Sequence, residues 1–219
     1  MIRPFGEQAL LVELDSVPKA QAFGRDLLRD RPAGVSAVVP GLASVMVELD
    51  PTIPAAATRR RLEARLDTIE DAPPAGRART IPVVYGGAAG PDLDACAAAA
   101  GISAAAFAER HAALELRVLF CGFAAGFAYL GDLPDELQVA RLETPRTHTP
   151  PGSVAIAGPM TGIYPRDLPG GWRVIGRTAV ELFDPRRDPP AYLVPGDVVR
   201  FESASSDDSA PAARAADDW

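Results

Sequence analysis

Lysine is almost absent from this chain. Of its 219 residues 22 are basic, and Lys19 is the only lysine among them. A Walker A phosphate-binding loop ends in Gly-Lys-Ser/Thr, whereas Lys19 stands in KAQAF, so the sequence excludes that loop. The longest run of basic residues is only three, Arg59 to Arg61, and 29 acidic residues set the formal net charge at -7. Because contacts to phosphates dominate affinity for nucleic acids, we expect no nucleic-acid partner.

Cysteine and long apolar segments are scarce as well. Cys96 and Cys121 form no CxxC motif, so neither a disulfide framework nor a zinc site is predicted. The longest apolar run, residues 118–130, falls short of the roughly 20 residues that a helix needs to cross a bilayer. The N-terminus lacks the charged and apolar parts of a signal peptide. We therefore expect a cytoplasmic protein without membrane contact.

The first part of the chain has the pattern of a small α+β domain, which we place at residues 1–78. The predicted elements are a strand at 9–14, a helix that begins after Ser16, strands at 35–39 and 44–49, and a helix at 54–69. Ser16 can cap the first helix, and Pro18 suits its first turn because the missing N–H costs little there. The order strand, helix, strand, strand, helix is most of a ferredoxin-like pattern.

The second domain is placed at residues 79–202. Residues 71–79 are predicted to be a linker, since they combine Pro, Gly, Ala and charge without periodicity. The strand predicted at 80–85 either completes the first sheet or begins the second domain. Two short Ala-rich helices follow, opened by Asp92 and by Ser103.

From Val118 to Phe201, short apolar runs alternate with Gly and Pro clusters, a rhythm typical of a small antiparallel barrel. The remaining segment, residues 203–219, is rich in Ser, Ala and Asp. Its four aspartates against one arginine give a net charge of -3. Such a composition favours disorder, so we predict an acidic tail.

Glycine is concentrated beside polar and aromatic residues in the second half, in CGFAAGFAYLG, TPRTHTPPGSVAIAGPMTGIYP and LPGGWRVIGRT. Glycine lets backbone approach a ligand closely, although barrel corners and tight turns need the same residue. Binding groups gather where strands end. The polar residues at the predicted strand ends are Arg146, Ser153, Thr161, Tyr164, Arg173 and Arg177.

Each of these side chains also has a structural explanation. An arginine fork suits a carboxylate or phosphate, and it equally suits a surface ion pair. Trp172 follows a Pro-Gly-Gly turn and is either core or the wall of a cleft. His111 fits a simple cap at the C-terminal end of a helix. His111 and His148 are far apart and lack acidic neighbours in a ligand pattern, so no metal site is predicted.

Seven motifs follow one another along the chain: GFAAGFAYLGDLP, TPRT, GSVAIAG, TGIYP, PGGWRVIGRT, LFDP and PGDVVRF. With these motifs, the sequence resembles the KipI family over residues 3 to about 202. This family includes the B subunit of bacterial ATP-dependent 5-oxoprolinase and polypeptides called allophanate hydrolase subunit 1. The resemblance implies a ferredoxin-like N-terminal α+β domain followed by a cyclophilin-like antiparallel β-barrel.

The resemblance also implies partners and a reaction. A KipI-type chain works with a larger KipA-type chain, the 5-oxoprolinase C subunit. With an A subunit the two couple hydrolysis of ATP, with Mg, to the opening of 5-oxoproline to glutamate. Two alternatives stay open: an inhibitor of a sensor histidine kinase, and a structural subunit without catalytic groups.

If the chain is an enzyme subunit, its site residues can be assigned on that resemblance. The expected catalytic residues are His111 for proton transfer, with Arg146 and Arg177 for phosphate or carboxylate. Substrate contacts are expected from Ser153, Thr161, Tyr164 and Trp172. ATP is bound either by the arginines of this chain or by a partner.

Four residues depart from the family pattern in its glycine-rich loops. Ala125 and Ala128 replace two prolines, and Pro159 and Met160 replace Gly and Gln. A glutamine amide can hydrogen-bond a substrate, whereas a methionine side chain cannot do so in the same way.

Overall fold

A computed structural model describes residues 1–71 and 76–205. Contacts between Cα atoms divide the chain into two compact units. The first comprises Met1–Gly76 and Leu119–Cys121, and the second comprises Arg77–Val118 and the described residues from Gly122 onward. The predicted tail lies outside the described residues from residue 206, and so do residues 72–75 of the predicted linker. The domain assignment made from the sequence, 1–78 and 79–202, stays a prediction.

The first unit contains one antiparallel sheet and two helices. Its elements are β1 (Ile2–Pro4), β2 (Ala9–Glu13), α1 (Val17–Arg29), β3 (Val35–Pro40), β4 (Ser44–Leu49) and α2 (Ala55–Leu66). The Ser16 side chain accepts a hydrogen bond from Lys19 N at 3.1 Å, which confirms the predicted cap of α1. Alternate residues of β2 and β4 join Phe23 and Leu27 of α1 in the core.

The sheet has the order β1-β2-β4-β3. The edge beside β2 is therefore occupied by β1, a strand of three residues that the sequence analysis did not predict. The next strand along the chain, predicted at 80–85, belongs to the barrel of the second unit. The ferredoxin-like pattern is thus not confirmed, since no strand that follows α2 in the described residues joins this sheet.

The second unit is built on a closed barrel of seven strands, in the order β10-β7-β6-β13-β5-β12-β9. These strands are β5 (Ala78–Tyr85), β6 (Glu115–Cys121), β7 (Ala128–Gly131), β9 (Ser153–Ala157), β10 (Met160–Ile163), β12 (Arg173–Arg177) and β13 (Val198–Ser203). The other elements are α3 (Leu93–Ala99), α4 (Ala104–Ala112), a 3-10 helix (Asp135–Leu137), and the paired strands β8 (Arg146–Thr149) and β11 (Leu168–Gly170).

One pairing in the barrel differs from the prediction. β13 runs parallel to β5, with Val198 opposite Ala78 and Ser203 opposite Val83. The prediction of a wholly antiparallel barrel is therefore wrong for this pair. The two strands are the first and the last of the described barrel along the chain, so no tight turn joins them and either direction is available. The cyclophilin-like description of the barrel stays a prediction.

The helices of the described ranges are short, and α1, with 13 residues, is the longest of them. Within these ranges no helix combines the length and the apolar character that crossing a membrane requires.

Candidate ligand site on the barrel

A pocket of about 260 Å³ opens on the second unit, and five of its ten lining residues are aromatic. Its lining residues are Phe123, Phe127, Tyr129, Arg141, Pro145, Tyr164, Pro169, Gly170, Gly171 and Trp172. Phe127 lies at the centre of the ring cluster, with its centroid 5.3 Å from that of Tyr164 and 5.8 Å from that of Trp172, both edge-to-face. Sites for drug-sized ligands measure roughly 300–1,000 Å³, so this pocket suits a smaller molecule.

The local sequence explains how the wall at Tyr164 forms. Gly170 ends β11, and a Cβ atom built there would lie 2.1 Å from the Tyr164 hydroxyl. Only glycine therefore lets β11 pass so close to the phenol. Burial raises the pKa of Tyr164, and hydrogen bonds from the Trp172 backbone and the Thr149 side chain oppose that rise.

This close approach leads to a prediction for Gly170→Ala. The new methyl group must displace the Tyr164 ring, so we expect a loss of about 2 kcal/mol in the free energy of unfolding and a distorted pocket. Denaturant unfolding of the full chain measures the loss. Gly171→Ala is the matched control, because its nearest neighbour would be Pro145 Cγ at 3.6 Å, an ordinary contact. Equal stabilities for the two variants would contradict the account.

Arg141 is the one cation among the residues that line the pocket. Its Cζ atom lies 5.9 Å from the centroid of the Trp172 ring. It forms no ion pair or hydrogen bond with any residue in the ranges 1–71 and 76–205. The charge of Arg141 lowers the pKa of Tyr129, and the larger effect of burial raises it. The pocket therefore combines aromatic faces with an available positive charge.

Arg146 was expected to contact phosphate or carboxylate, and the structure places it in an internal ion pair. Its Nη2 lies 2.7 Å from Asp92 Oδ1, and its Nη1 donates to the Trp172 carbonyl at 3.4 Å. The other carboxylate oxygen of Asp92 accepts from Val174 N at 2.6 Å. This clamp holds the start of β12, and with it the indole of Trp172. The geometry supports a positioning role for Arg146, and its catalytic role stays a prediction.

His111 lies inside the barrel with no exposed surface. Its Nδ1 is 2.9 Å from the Tyr85 hydroxyl, and its Nε2 is 3.2 Å from Thr161 Oγ1. Because Thr161 donates its hydroxyl hydrogen to the Ala155 carbonyl, its oxygen accepts from Nε2–H. Nδ1 is then the acceptor for the Tyr85 hydroxyl, so both nitrogens of the imidazole and both hydroxyls are hydrogen-bonded.

The environment of His111 fixes its charge. Its ring stacks on Phe201 with centroids 4.9 Å apart, and burial lowers its pKa to about 3. The imidazole is neutral at physiological pH and both nitrogens are occupied. This arrangement supports a structural role for His111 and Thr161, and their catalytic and substrate-binding roles stay predictions.

Ser153 and Arg177 form a third group. They lie opposite each other in the register of β9 and β12. Ser153 is fully buried, and neither its Oγ nor Arg177 Nε has a hydrogen-bond partner in the described part of the chain. Neither residue lines the aromatic pocket. Of the seven predicted site residues, the structure thus brings only Tyr164 and Trp172 together in the pocket, with Arg146 behind them.

Four lining residues were missed by the sequence analysis: Phe123, Phe127, Tyr129 and Arg141. The three aromatic residues belong to the segment GFAAGFAYLG, which was singled out for its glycines. Its repeated aromatic residues were the available signal. Arg141 carries no such signal, because it precedes β8 without any motif around it.

Two departures from the family pattern lie beside this pocket. Met160 begins β10 and packs, partly buried, against the cluster formed by Phe127, Tyr164, Trp172 and their neighbours. Ala128 begins β7 and is buried. A third, Pro159, uses its carbonyl to accept a hydrogen bond from Leu133 N at 2.8 Å. Met160 therefore contributes packing where the family pattern has an amide.

The fold is thus a closed seven-stranded barrel that carries a small pocket with aromatic walls. Residues 1–193 match the family described as carboxyltransferase domain, subdomain C and D. The chain is also 44% identical over 203 residues to the B subunit of 5-oxoprolinase from Escherichia coli O157:H7, covering 90% of this chain and 92% of that relative. The chain belongs to this carboxyltransferase subdomain C and D family, the KipI family that its motifs resemble.

Two solved structures are similar in fold to this chain. The crystal structure of TTHA0988 matches with a TM-score of 0.80 and 33% identity, over 91% of this chain and 40% of that chain. This protein therefore spans two fifths of TTHA0988. Urea carboxylase of Kluyveromyces lactis matches with a TM-score of 0.71 and 19% identity, over 95% of this chain and 22% of that chain. The last likeness shows a shared fold.

Proposed function

We propose that this chain is a subunit of an ATP-dependent enzyme of the 5-oxoprolinase type, which opens 5-oxoproline to glutamate together with a KipA-like chain. The observation that carries the proposal is the 44% identity to a 5-oxoprolinase B subunit over 92% of that relative's length. An A-type chain of 5-oxoprolinase is the third component of the proposed enzyme.

The pocket supports a small cyclic substrate. Its volume of about 260 Å³, its aromatic walls and its one arginine match a compact ring that carries a carboxylate. Opening a lactam in water requires activation of its amide, and ATP hydrolysis supplies the driving force.

ATP itself fits the aromatic pocket poorly. The pocket offers one cation, Arg146 is paired with Asp92, and the single lysine, Lys19, lies on α1 of the first unit. A triphosphate with its Mg requires several cationic or backbone donors in one place. We therefore assign ATP and Mg to a partner chain in this proposal, and the role of this chain is to hold the lactam.

The proposal is tested by co-purification of this chain with its KipA-like and A-type partners, followed by assays of ATP hydrolysis. We expect 5-oxoproline to stimulate hydrolysis, and allophanate and urea to have no effect. Stimulation by allophanate or urea alone would contradict the substrate. Binding of this chain to a histidine kinase dimer, with no complex formed with the KipA-like chain, would favour the inhibitor hypothesis instead.

A further inference from the structure

We propose that Arg141 is the anion-binding group of the aromatic pocket, and that the pocket takes a small carboxylate carried on a compact ring. This inference rests on the proposed function only where it names the ring as a five-membered lactam. The arginines expected to do this work from the sequence were Arg146 and Arg177, so the proposal moves the anion site to a different residue.

The first argument is the availability of charge. A guanidinium that already meets a carboxylate has little left to offer a second anion. Arg146 meets the buried carboxylate of Asp92 at 2.7 Å and also donates to the Trp172 carbonyl. Arg141 is exposed at the pocket and meets no carboxylate among the described residues. Among the lining residues it alone can pair with the carboxylate of a ligand.

The second argument is the arrangement of rings around that charge. Arg141 Cζ lies 5.9 Å from the centroid of Trp172, and the Tyr129 ring lies 5.7 Å from the same indole. A ligand ring that contacts Trp172 or Tyr129 can therefore hold its carboxylate within reach of the guanidinium. Indole and phenol faces bind compact rings through dispersion and burial of apolar area.

The third argument is the rim of the pocket. Phe123 is 59% exposed, and its backbone has a φ of +68°, a left-handed conformation that bulky residues rarely adopt. Its ring meets Phe127 edge-to-face at 5.5 Å. The chain thus covers only part of this phenyl group, although its backbone conformation is costly. At the mouth of a pocket the phenyl group gains contact area when a ligand is bound.

The test uses Trp172 as the reporter. The full chain has two tryptophans, so Trp219→Phe leaves Trp172 as the only one. In this background, fluorescence is titrated with 5-oxoproline, with pyrrolidin-2-one, which has the ring without the carboxylate, and with acetate, which has the carboxylate without the ring. We expect a saturable change with 5-oxoproline, and weaker binding of both fragments.

Arg141→Met then separates charge from packing, since methionine keeps much of the apolar stem. We expect 5-oxoproline to bind about tenfold to a hundredfold more weakly, because a charge-assisted hydrogen bond usually contributes that much to affinity. We expect the affinity for pyrrolidin-2-one to stay the same. Arg141→Lys should restore part of the affinity. Arg60→Met, at an exposed position of α2, is the control and should bind like the parent. Thermal melting checks that each variant is folded.

The outcomes separate this site from the proposed function. No saturable change with 5-oxoproline in the folded parent, or equal affinity in Arg141→Met, would overturn the site. If the assembled enzyme opens 5-oxoproline and Arg141→Met leaves its KM unchanged, the site fails and the proposed function stands. If 5-oxoproline binds in an Arg141-dependent way and the assembled enzyme does not turn it over, the site stands and the proposed function fails.

Discussion

Acidification is expected to destabilise the second unit through His111, by up to about 5 kcal/mol between pH 6.5 and pH 3. Burial lowers the pKa of His111 from 6.5 to about 3, so the folded protein holds this imidazole neutral while the unfolded chain protonates it. The stabilising contribution is complete above pH 6.5 and is lost as the pH falls toward 3. The slope is about 1.4 kcal/mol per pH unit for one proton.

Denaturant unfolding over this pH range, compared between the parent and His111→Gln, measures the effect. Titration of other groups is common to both proteins and cancels in the difference. His148→Gln is the matched control for the substitution itself, because the His148 side chain is exposed and lies beside Asp167 at the surface. Parallel curves for the parent and His111→Gln would contradict the account. NMR spectra offer a second readout, in which the His111 ring should show no titration while the protein stays folded.

Asp92→Ala is expected to lower the free energy of unfolding by about 3 kcal/mol. The substitution leaves the partly buried Arg146 guanidinium without its carboxylate, and it leaves Val174 N–H, which is buried, without an acceptor. Because Trp172 lies between Arg146 and Val174 in this clamp, we also expect its fluorescence to change. Urea unfolding at neutral pH measures the stability.

Two further variants test the cause of that loss. Asp94→Ala removes an exposed carboxylate from the first turn of the same helix, α3, and should cost less than about 1 kcal/mol. Asp92→Asn combined with Arg146→Met removes both charges, and its loss should be smaller than the sum of the single losses. If Asp92→Ala is no worse than Asp94→Ala, the clamp does not contribute as described.

Much of the local structure was predictable because its signals are local. The Ser16 cap, the helical spacing of Phe23 and Leu27, and the apolar run 44–49 each lie within a few residues, and the structure confirms the elements built on them. The strand at 78–85 belongs to the barrel because it pairs with β13, which lies about 120 residues later in the chain. No local sequence pattern carries that information. Because the two strands are so far apart in the sequence, the sequence also does not reveal that β5 and β13 run parallel.

The site was less predictable for the same reason. Arg141 lies just before β8, whereas Arg146 is the first residue of β8 and belongs to the motif TPRT, so the sequence directed attention to Arg146. They differ because the fold brings Asp92, 54 residues earlier, to Arg146 and leaves Arg141 at the pocket. Tyr164 and Trp172 were found because turn residues flank them. For His111 the sequence left both a helix cap and proton transfer open, and it did not indicate the barrel interior, because the groups that surround the ring are Tyr85, Thr161 and Phe201.

The most direct test of the central claim is the joint release of glutamate and phosphate by the enzyme that we propose this chain forms with a KipA-like and an A-type chain. We predict that 5-oxoproline yields both products together when this chain is present, and that Arg141→Met raises the KM for 5-oxoproline about tenfold or more. Glutamate formation at the same rate without this chain would contradict the account.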